Sequence, residues 1–108
     1  MNLLTDIRFG LDNVFEFAGK KILLEVKLNI SLEKDLISQL NQYILADYIC
    51  LSNDQNNYIT DFEKDFMFVV DVYSLYRYDV NTKTLTKMFD LDEITSKADI
   101  IKRMQHCC

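Results

Sequence analysis

The alternation of apolar and polar residues predicts a β-hairpin near the start of the chain. Residues 14–28, "VFEFAGKKILLEVKL", are consistent with two strands joined by a turn at Gly19 and Lys20. Residues 3–17 also fit a helical stripe, and we favour a short helix through about Leu11 followed by the hairpin. The second strand has apolar side chains at every second position, the period of a half-buried strand: Ile22, Leu24, Val26 and Leu28.

An amphipathic helix is predicted over about residues 32–47. Ser31 is the candidate N-cap, and Glu33 and Asp35 in the first turn suit the positive end of the helix dipole. After this helix, "YICLS" predicts a short strand and "NDQNN" a polar loop rich in turn-forming residues. The apolar residues of the helix recur at intervals of three and four, as one buried face requires: Leu32, Leu36, Ile37, Leu40, Tyr43 and Ile44.

The segment "DFMFVVDVYSLYRYDVNTKTLTKMF" predicts a long β-hairpin with its turn at "NTKT", residues 81–84. Its first strand would be long enough to create a pairing hazard unless another strand or a partner covers the edge. Alternation assigns one set of side chains to the core face: Phe66, Phe68, Val70, Val72, Tyr76 and Tyr78. It assigns another set to the opposite face: Asp71, Tyr73 and Arg77.

The end of the chain predicts either one helix or two short helical pieces. Asp90 with Glu93, and Ser96 with Asp99, each have the spacing of a capping pair. The elements together follow the order α-β-β-α-β-β-β-α, which predicts an α+β domain with a mostly antiparallel sheet and about three helices. With 108 residues, no proline and two glycines, residues 1–108 are predicted to form a single domain without linkers.

The net charge of −5 arises in the middle of the chain. Residues 47–71 contain Lys64 and six acidic residues, which are Asp47, Asp54, Asp61, Glu63, Asp65 and Asp71. Direct binding of nucleic acid is not expected, because phosphate neutralisation requires clustered lysine and arginine. An acidic surface instead steers association toward partners with a basic surface.

The C-terminal "MQHCC" contains the only histidine, His106, together with Cys107 and Cys108. Adjacent cysteines with one histidine do not supply a tetrahedral zinc site, and a chain end is a poor frame for a Cys-His nucleophile because termini fray. We therefore expect no metal, no cofactor and no catalytic residues, and a solvent-exposed tail. Three cysteines without CxxC spacing, and apolar runs too short for a signal peptide or membrane span, predict a cytoplasmic protein that does not bind membranes.

Acidic and aromatic residues in the middle of the chain are the candidate binding residues. Asp61, Glu63 and Asp65 would share one face of a strand, whereas on a loop they would be solvated. Tyrosine and arginine are enriched in protein-binding hot spots, although a tyrosine-rich core strand explains the same residues equally well. The predicted contact surface comprises Asp54, Asp61, Glu63, Asp65, Asp71, Tyr73 and Arg77.

The compact α+β pattern, the acids of residues 47–71 and the strand "VYSLYRYDV" resemble small acidic immunity proteins that neutralise bacterial contact-dependent or polymorphic toxins. The resemblance implies a non-enzymatic inhibitor that binds a cognate toxin, of the basic nuclease type, as a monomer or weak dimer. The alternatives are a phage-type inhibitor that mimics nucleic acid, or a non-catalytic subunit of a larger assembly. An enzyme ranks third, after the nucleic-acid mimic and ahead of the subunit, because one terminal histidine leaves little for proton transfer near neutral pH.

Overall fold

The structure, a computed structural model, describes residues 11–51, 54–93 and 96–107 and has an α+β architecture. Two α-helices are present among these residues, α1 (Leu36–Ile44) and α2 (Lys97–Cys107), with short 3₁₀ helices at Ile30–Leu32 and Leu91–Glu93. The predicted N-terminal helix lies largely outside the described residues. The described part of the chain contains seven strands: β1 (Leu11–Phe17), β2 (Lys20–Val26), β3 (Ile49–Leu51), β4 (Asp54–Ile59), β5 (Phe66–Val70), β6 (Ser74–Asp79) and β7 (Thr84–Asp90).

Five of the strands form a mixed sheet in the order β1-β2-β5-β6-β7. The hairpins β1–β2, β5–β6 and β6–β7 are antiparallel, whereas β2 and β5 run parallel in the centre, with Leu24 opposite Phe68. Strands β3 and β4 form a separate antiparallel pair. The prediction of a mostly antiparallel sheet is therefore confirmed in part, because a parallel pair joins the two antiparallel halves.

Both faces of the central sheet are covered. On one face, Met104 of α2 packs with the even-numbered residues of β2 and β5, including Ile22 and Phe68. On the other face, Leu40 and its neighbours in α1 pack with the odd-numbered residues, including Leu23. The prediction of a half-buried β2 is wrong: the run from Ile22 to Glu25 is buried throughout, because β2 has a neighbouring strand on each side and a helix over each face.

The β1–β2 hairpin turns at Ala18 and Gly19, one residue earlier than predicted. Both residues have positive φ, 53° for Ala18 and 79° for Gly19, as the central residues of a type I′ turn require. The register pairs Phe17 with Lys20, so Lys20 already belongs to β2. Glycine meets this requirement without strain, and alanine accepts it at some cost in backbone energy.

Helix α1 is shorter than the predicted helix. The chain first forms the 3₁₀ turn at Ile30–Leu32, where the Asn29 side chain accepts a hydrogen bond from the Ser31 amide at 3.0 Å. The α-helix then starts at Leu36 and ends at Ile44. Ser31 is thus not the N-cap of the α-helix, and Leu32 is exposed instead of buried. The apolar periodicity is correct only for the part of the segment that packs on the sheet.

The predicted first strand of the long hairpin is two strands. The chain reverses at residues 71–73, between β5 and β6, where no turn was predicted. It reverses again before Thr84, and this second turn was predicted. Because the first reversal pairs Phe68 with Arg77, even-numbered residues of β5 share a face with odd-numbered residues of β6. Tyr78 therefore packs on the face of the sheet that α1 covers, in the α1-side cluster with Leu40. Phe66 and Phe68 pack on the other face, so the prediction that all three residues share one face is wrong.

The segment "NDQNN" was predicted as a loop, but residues from Asp54 onward belong to β4. This strand pairs with β3 through Ile49 opposite Ile59 and Cys50 opposite Tyr58. Sheet hydrogen bonds use backbone groups, so a polar segment can form a strand when a partner strand lies beside it. The turn-forming composition of the segment was therefore a misleading signal.

Candidate functional site

The predicted acidic surface lies mainly on the loop between β4 and β5. Asp61 and Asp65 are exposed there, whereas the Glu63 side chain is only 13% exposed. Glu63 accepts a hydrogen bond from the Asp65 amide at 3.2 Å, and its own amide donates to the Lys21 carbonyl at 2.7 Å. The loop is therefore held against β2, and its acidic residues are solvated as loop residues instead of aligned along a strand.

Lysines are interleaved with these acids in the folded chain. Lys20 Nζ lies 3.6 Å from Glu63 Oε2, and Lys64 Nζ lies 3.8 Å from the centre of the Phe62 ring while it donates to the Ala46 carbonyl. A shallow pocket of about 330 Å³ is lined by both signs of charge, with Asp61 and Glu63 beside Lys20, Lys21 and Lys64. The acid excess of the sequence is thus largely balanced in this part of the surface.

Asp71 lies inside the molecule and not on the predicted contact surface. It is 4% exposed. Its Oδ1 accepts from the amides of Tyr73 and Ser74, each at 2.9 Å, and its Oδ2 accepts from the Ile30 amide at 3.1 Å. The carboxylate fixes the β5–β6 turn and anchors the segment before α1 to it.

Arg77 is half-buried and occupied by contacts within the chain. Its guanidinium lies 4.0 Å from the centre of the Phe66 ring, its Nε is 3.0 Å from Asp79 Oδ1, and its Nη1 donates to the Cys107 carbonyl. A cation at the last turn of a helix is favourable, because the helix dipole is negative there. Arg77 therefore fastens the C-terminal end of α2 to the sheet.

The C-terminal residues up to Cys107 belong to α2. The prediction of a solvent-exposed tail is confirmed for His106, whereas Cys107 is only partly exposed. The Cys107 thiol donates to the Arg103 carbonyl at 3.2 Å, and burial raises its pKa above the usual value, with Arg77 opposing part of that rise. Cys108 lies outside the described residues. Of the remaining predicted site residues, Asp54 lies in β4, its side chain outside the described part, and Tyr73 is exposed.

The β5–β6 turn and the neighbouring segment after β2 carry four exposed apolar side chains. We name this set the turn patch, and it consists of Leu28, Leu32, Val72 and Tyr73, which are 60% to 79% exposed. The Val72 amide donates to the Leu28 carbonyl at 3.3 Å, so the loop after β2 and the turn are neighbours. The sequence identified only Tyr73, because the apolar alternation assigned the other three residues to the core.

A groove extends from the turn patch along α1. Its larger part, about 740 Å³, lies between residues 29–38 and the sheet residues Tyr73, Tyr76 and Leu85. Its second part, about 560 Å³, shares Ile37 and Ser38 with the first and reaches Leu45 and Lys83. We name the two together the α1 groove. Its lining includes apolar side chains such as Ile37 and Leu85, and both signs of charge at Glu33, Lys34 and Asp35.

Comparison with known proteins does not extend this description: no family model, curated protein or solved structure matches the chain. Within residues 11–51, 54–93 and 96–107, no three His, Cys, Asp or Glu side chains are grouped so that they could hold a metal ion. In the same ranges, neither helix is long and apolar enough to cross a membrane. The turn patch and the α1 groove are thus the candidate binding surfaces of the described part of the chain.

Proposed function

We propose that this chain is a protein-binding domain that inhibits its partner, and that the turn patch is its main contact surface. The observation that carries the proposal is that four large apolar side chains, all more than half exposed, lie on two chain segments that are hydrogen-bonded to each other at the β5–β6 turn. Contiguous exposed apolar surface is characteristic of interaction sites, whereas single exposed apolar residues are ordinary.

Burial of these side chains in a complex would contribute favourably to the free energy of binding. Transfer of a valine, leucine or aromatic side chain from water to a packed interface contributes about 1.5–3 kcal/mol when burial is complete. The turn patch provides four such side chains, from Leu28 to Tyr73. Even partial burial of all four therefore supplies several kcal/mol, which favours a binding surface with a few central anchors.

The frame beneath the turn patch supports binding with little loss of conformational entropy. Asp71 holds the amides of Ile30, Tyr73 and Ser74, and the Leu91 amide donates to the Tyr73 carbonyl at 2.8 Å. Both chain segments that carry the patch are thus fixed before a partner arrives. Preorganisation of this kind increases affinity because less ordering is required on association.

The narrower proposal is the immunity-protein role that the sequence resemblance implies, with a basic nuclease-type toxin as partner. The net charge of −5 supports it, because it favours long-range attraction of a basic protein. The interleaved lysines beside Asp61 and Glu63 reduce the local contribution of the acids. We therefore assign affinity to the turn patch and attribute to the overall charge only a faster association.

Two tyrosines of equal exposure provide a matched test. Tyr73 in the turn patch is 60% exposed, and Tyr48, beyond the C-terminal end of α1, is 59% exposed. A partner that co-purifies with the wild-type chain from its native lysate should bind Tyr73→Ser at least about tenfold more weakly, and Tyr48→Ser with unchanged affinity, as hot-spot truncation of about 1.4 kcal/mol or more implies. Isothermal titration with the purified partner measures both affinities.

Equal affinities of the two variants would contradict the turn patch as contact surface. The inhibitory role has its own measurement, which is the activity of the partner titrated with the wild-type chain. We expect activity to fall to a minimum at a one-to-one ratio. A partner that remains fully active when saturated would contradict inhibition while leaving the binding surface intact. If the partner is a toxin, co-expression of the wild-type chain should restore growth, and Tyr73→Ser should restore less.

A further inference from the structure

Strand β7 lies at the edge of the five-stranded sheet. It pairs with β6 on one side, and among the described residues no strand pairs with its other side. The outer side of an edge strand presents backbone N–H and C=O groups that a further strand can pair with. Strand addition to such an edge is a recurrent mode of peptide recognition.

The α1 groove lies beside this edge. On its sheet side the groove is bounded by Tyr76 of β6, Leu85 of β7 and Lys83 just before β7. Side chains of a strand alternate between the two faces of its sheet. A strand added to β7 would therefore place every second side chain on the face that the α1 groove occupies.

The residues of β7 on the α1 face define what such a strand should carry. Leu85 pairs with Tyr78 and packs against the α1-side cluster, so its face is known. Lys87 pairs with Tyr76 on the same face, and Lys83 lines the groove. The sequence of this face is thus cation, apolar residue, cation. Its complement is acid, apolar residue, acid at alternate positions.

We infer that β7 binds an extended segment of a partner protein that has acidic, apolar and acidic residues at positions i, i+2 and i+4. The apolar residue lies opposite Leu85 and one acidic residue lies opposite Lys87. The other acidic residue lies near Lys83, which belongs to the turn before β7 and lines the groove. Because Lys87 Nζ is 3.2 Å from Asp90 Oδ1, part of its charge is already offset, and Lys83 contributes the larger share of the selectivity. Of the turn patch, Tyr73 also lines the α1 groove, whereas Leu28, Leu32 and Val72 do not.

A second copy of the chain is a poorer occupant of the same edge. Antiparallel pairing of two β7 strands would bring the lysines of both copies to one seam, where like charges repel. The register of β7 also shifts between the pairs Leu75–Phe89 and Tyr76–Lys87, which limits regular pairing to Thr84–Lys87. A lysine on an edge strand and a bulge within it are features that hinder association between copies.

The test uses two synthetic heptapeptides, Thr-Glu-Thr-Val-Thr-Glu-Thr and its matched control Thr-Lys-Thr-Val-Thr-Lys-Thr. NMR titration of the full-length chain should show shifts of the β7 amides and slower amide exchange in β7 with the acidic peptide. Exposed ion pairs each change affinity by a factor of about 1.4 to 5, so two of them predict that the acidic peptide binds about 2 to 25 times more tightly than the control. The preference should shrink as salt rises.

A charge reversal on the protein provides the second half of the test. Lys83→Glu combined with Lys87→Glu should invert the preference, so that the lysine peptide binds more tightly than the glutamate peptide. Both positions are at the surface, so the fold should persist, and the amide spectrum checks this directly. Equal binding of both peptides, shifts outside β7 and the α1 groove, or β7 amides that are all protected before any peptide is added would each overturn the inference.

Failure of strand addition to β7 can be distinguished from failure of partner binding by the turn patch. Val72→Ser should leave heptapeptide binding unchanged, because Val72 belongs to the turn patch and lines neither part of the α1 groove. The double reversal should leave the contribution of the turn patch to partner binding unchanged. Failure of the peptide test therefore removes strand addition alone, and failure of the Tyr73→Ser test removes the turn patch alone.

Discussion

Two acid-bearing regions of this molecule have opposite roles. In the β5–β6 turn, Asp71 is buried and accepts three backbone hydrogen bonds. In the β4–β5 loop, Asp61 and Asp65 are exposed, and Glu63 has Lys20 beside it. The sequence shows the same residue types within eleven positions, so residue type does not distinguish them. What separates the regions is the number of donors that the fold places around each carboxylate.

The physical difference is the cost of removing each group. A buried acceptor that is lost leaves its donors without partners in a place that water does not reach, whereas an exposed carboxylate that is lost is replaced by water. The first region should therefore control stability and the geometry of the turn patch. The second should contribute to net charge and solubility.

The largest expected effect is that of Asp71→Ala. It removes the acceptor for the amides of Ile30, Tyr73 and Ser74, and we expect the free energy of unfolding to fall by about 3 kcal/mol. Urea denaturation measures this. The control, Asp65→Ala, changes an exposed acid and should remain within about 0.5 kcal/mol of wild type. Equal losses of stability in the two variants would show that burial does not distinguish the roles of Asp71 and Asp65.

A smaller effect is expected from Tyr78→Phe, which extends the comparison to a buried polar group without charge. The Tyr78 hydroxyl donates to Asn41 Oδ1 at 2.6 Å and joins the sheet to α1, and its removal should cost about 1 kcal/mol. Chemical denaturation at neutral pH measures the loss. Asn41→Ala, which deletes the acceptor, should destabilise by a similar amount, and the double variant should lose less than the sum.

The same tyrosine predicts a pH dependence. Burial raises the pKa of Tyr78 above its usual 10.0, and the hydrogen bond to Asn41 only partly opposes this rise. Below a pH of 10.0 the Tyr78 hydroxyl keeps its proton in both the folded and the unfolded chain, so its contribution to stability is fully present there. As pH rises above it, the unfolded chain ionises first, and stability falls until the folded-state pKa is passed. We expect Tyr78→Phe to flatten the decline above pH 10.0; an unchanged decline would contradict this assignment.

A still smaller effect is expected from Glu63→Gln in the β4–β5 loop. It removes the ion pair with Lys20 and should destabilise by about 0.5 kcal/mol or less at low salt. Added salt should abolish the difference from wild type, because surface pairs are screened. Asp61→Asn in the same loop serves as control, with no expected change. A salt-independent loss of more than about 1 kcal/mol in the free energy of unfolding would show that Glu63, like Asp71, has a structural role. Losing a buried hydrogen-bond partner costs about 1–3 kcal/mol.

The smallest expected effect concerns Asp90 at the end of β7. The Ser74 hydroxyl donates to its Oδ1 at 2.8 Å and, together with Lys87, lowers the pKa of Asp90 below its usual 3.8. The associated stabilisation is present above that usual value and is lost as pH falls through the folded-state pKa. Ser74→Ala should therefore raise the pKa of Asp90 in an NMR titration. A pKa that does not move would assign the shift to Lys87 alone.

The fold was predictable where apolar spacing and packing agree. The hairpin near Gly19, the face of α1 that carries Leu40, and the turn before Thr84 follow from the sequence pattern. The reversal after Val70 was not predictable by turn composition, because "DVY" contains neither glycine nor proline. It forms because the Asp71 side chain accepts from the amides two and three residues later, and the third donor, the Ile30 amide, reaches Asp71 only after folding.

The candidate site was less predictable than the fold. The density of acidic residues in the sequence predicted an acidic surface at the β4–β5 loop. Folding brings Lys20 and Lys21, which are distant in sequence, beside these acids, and the lysines partly neutralise them. Exposed apolar residues such as Leu28 and Leu32 carried no sequence signal, because an apolar residue in periodic position normally points inward. Their exposure depends on where β2 ends and where α1 begins, which tertiary packing determines.

The parallel pairing of β2 with β5 also has a consequence for how the chain folds. The β1–β2 hairpin and the β5–β6–β7 meander each need only contacts between neighbouring segments, whereas Leu24 meets Phe68 only after the whole intervening crossover is closed. Closing that loop costs entropy before any of the central contacts repay it. We therefore expect two early-formed halves and a rate-limiting docking at their seam, so that nascent chains remain incomplete until β5 has left the ribosome.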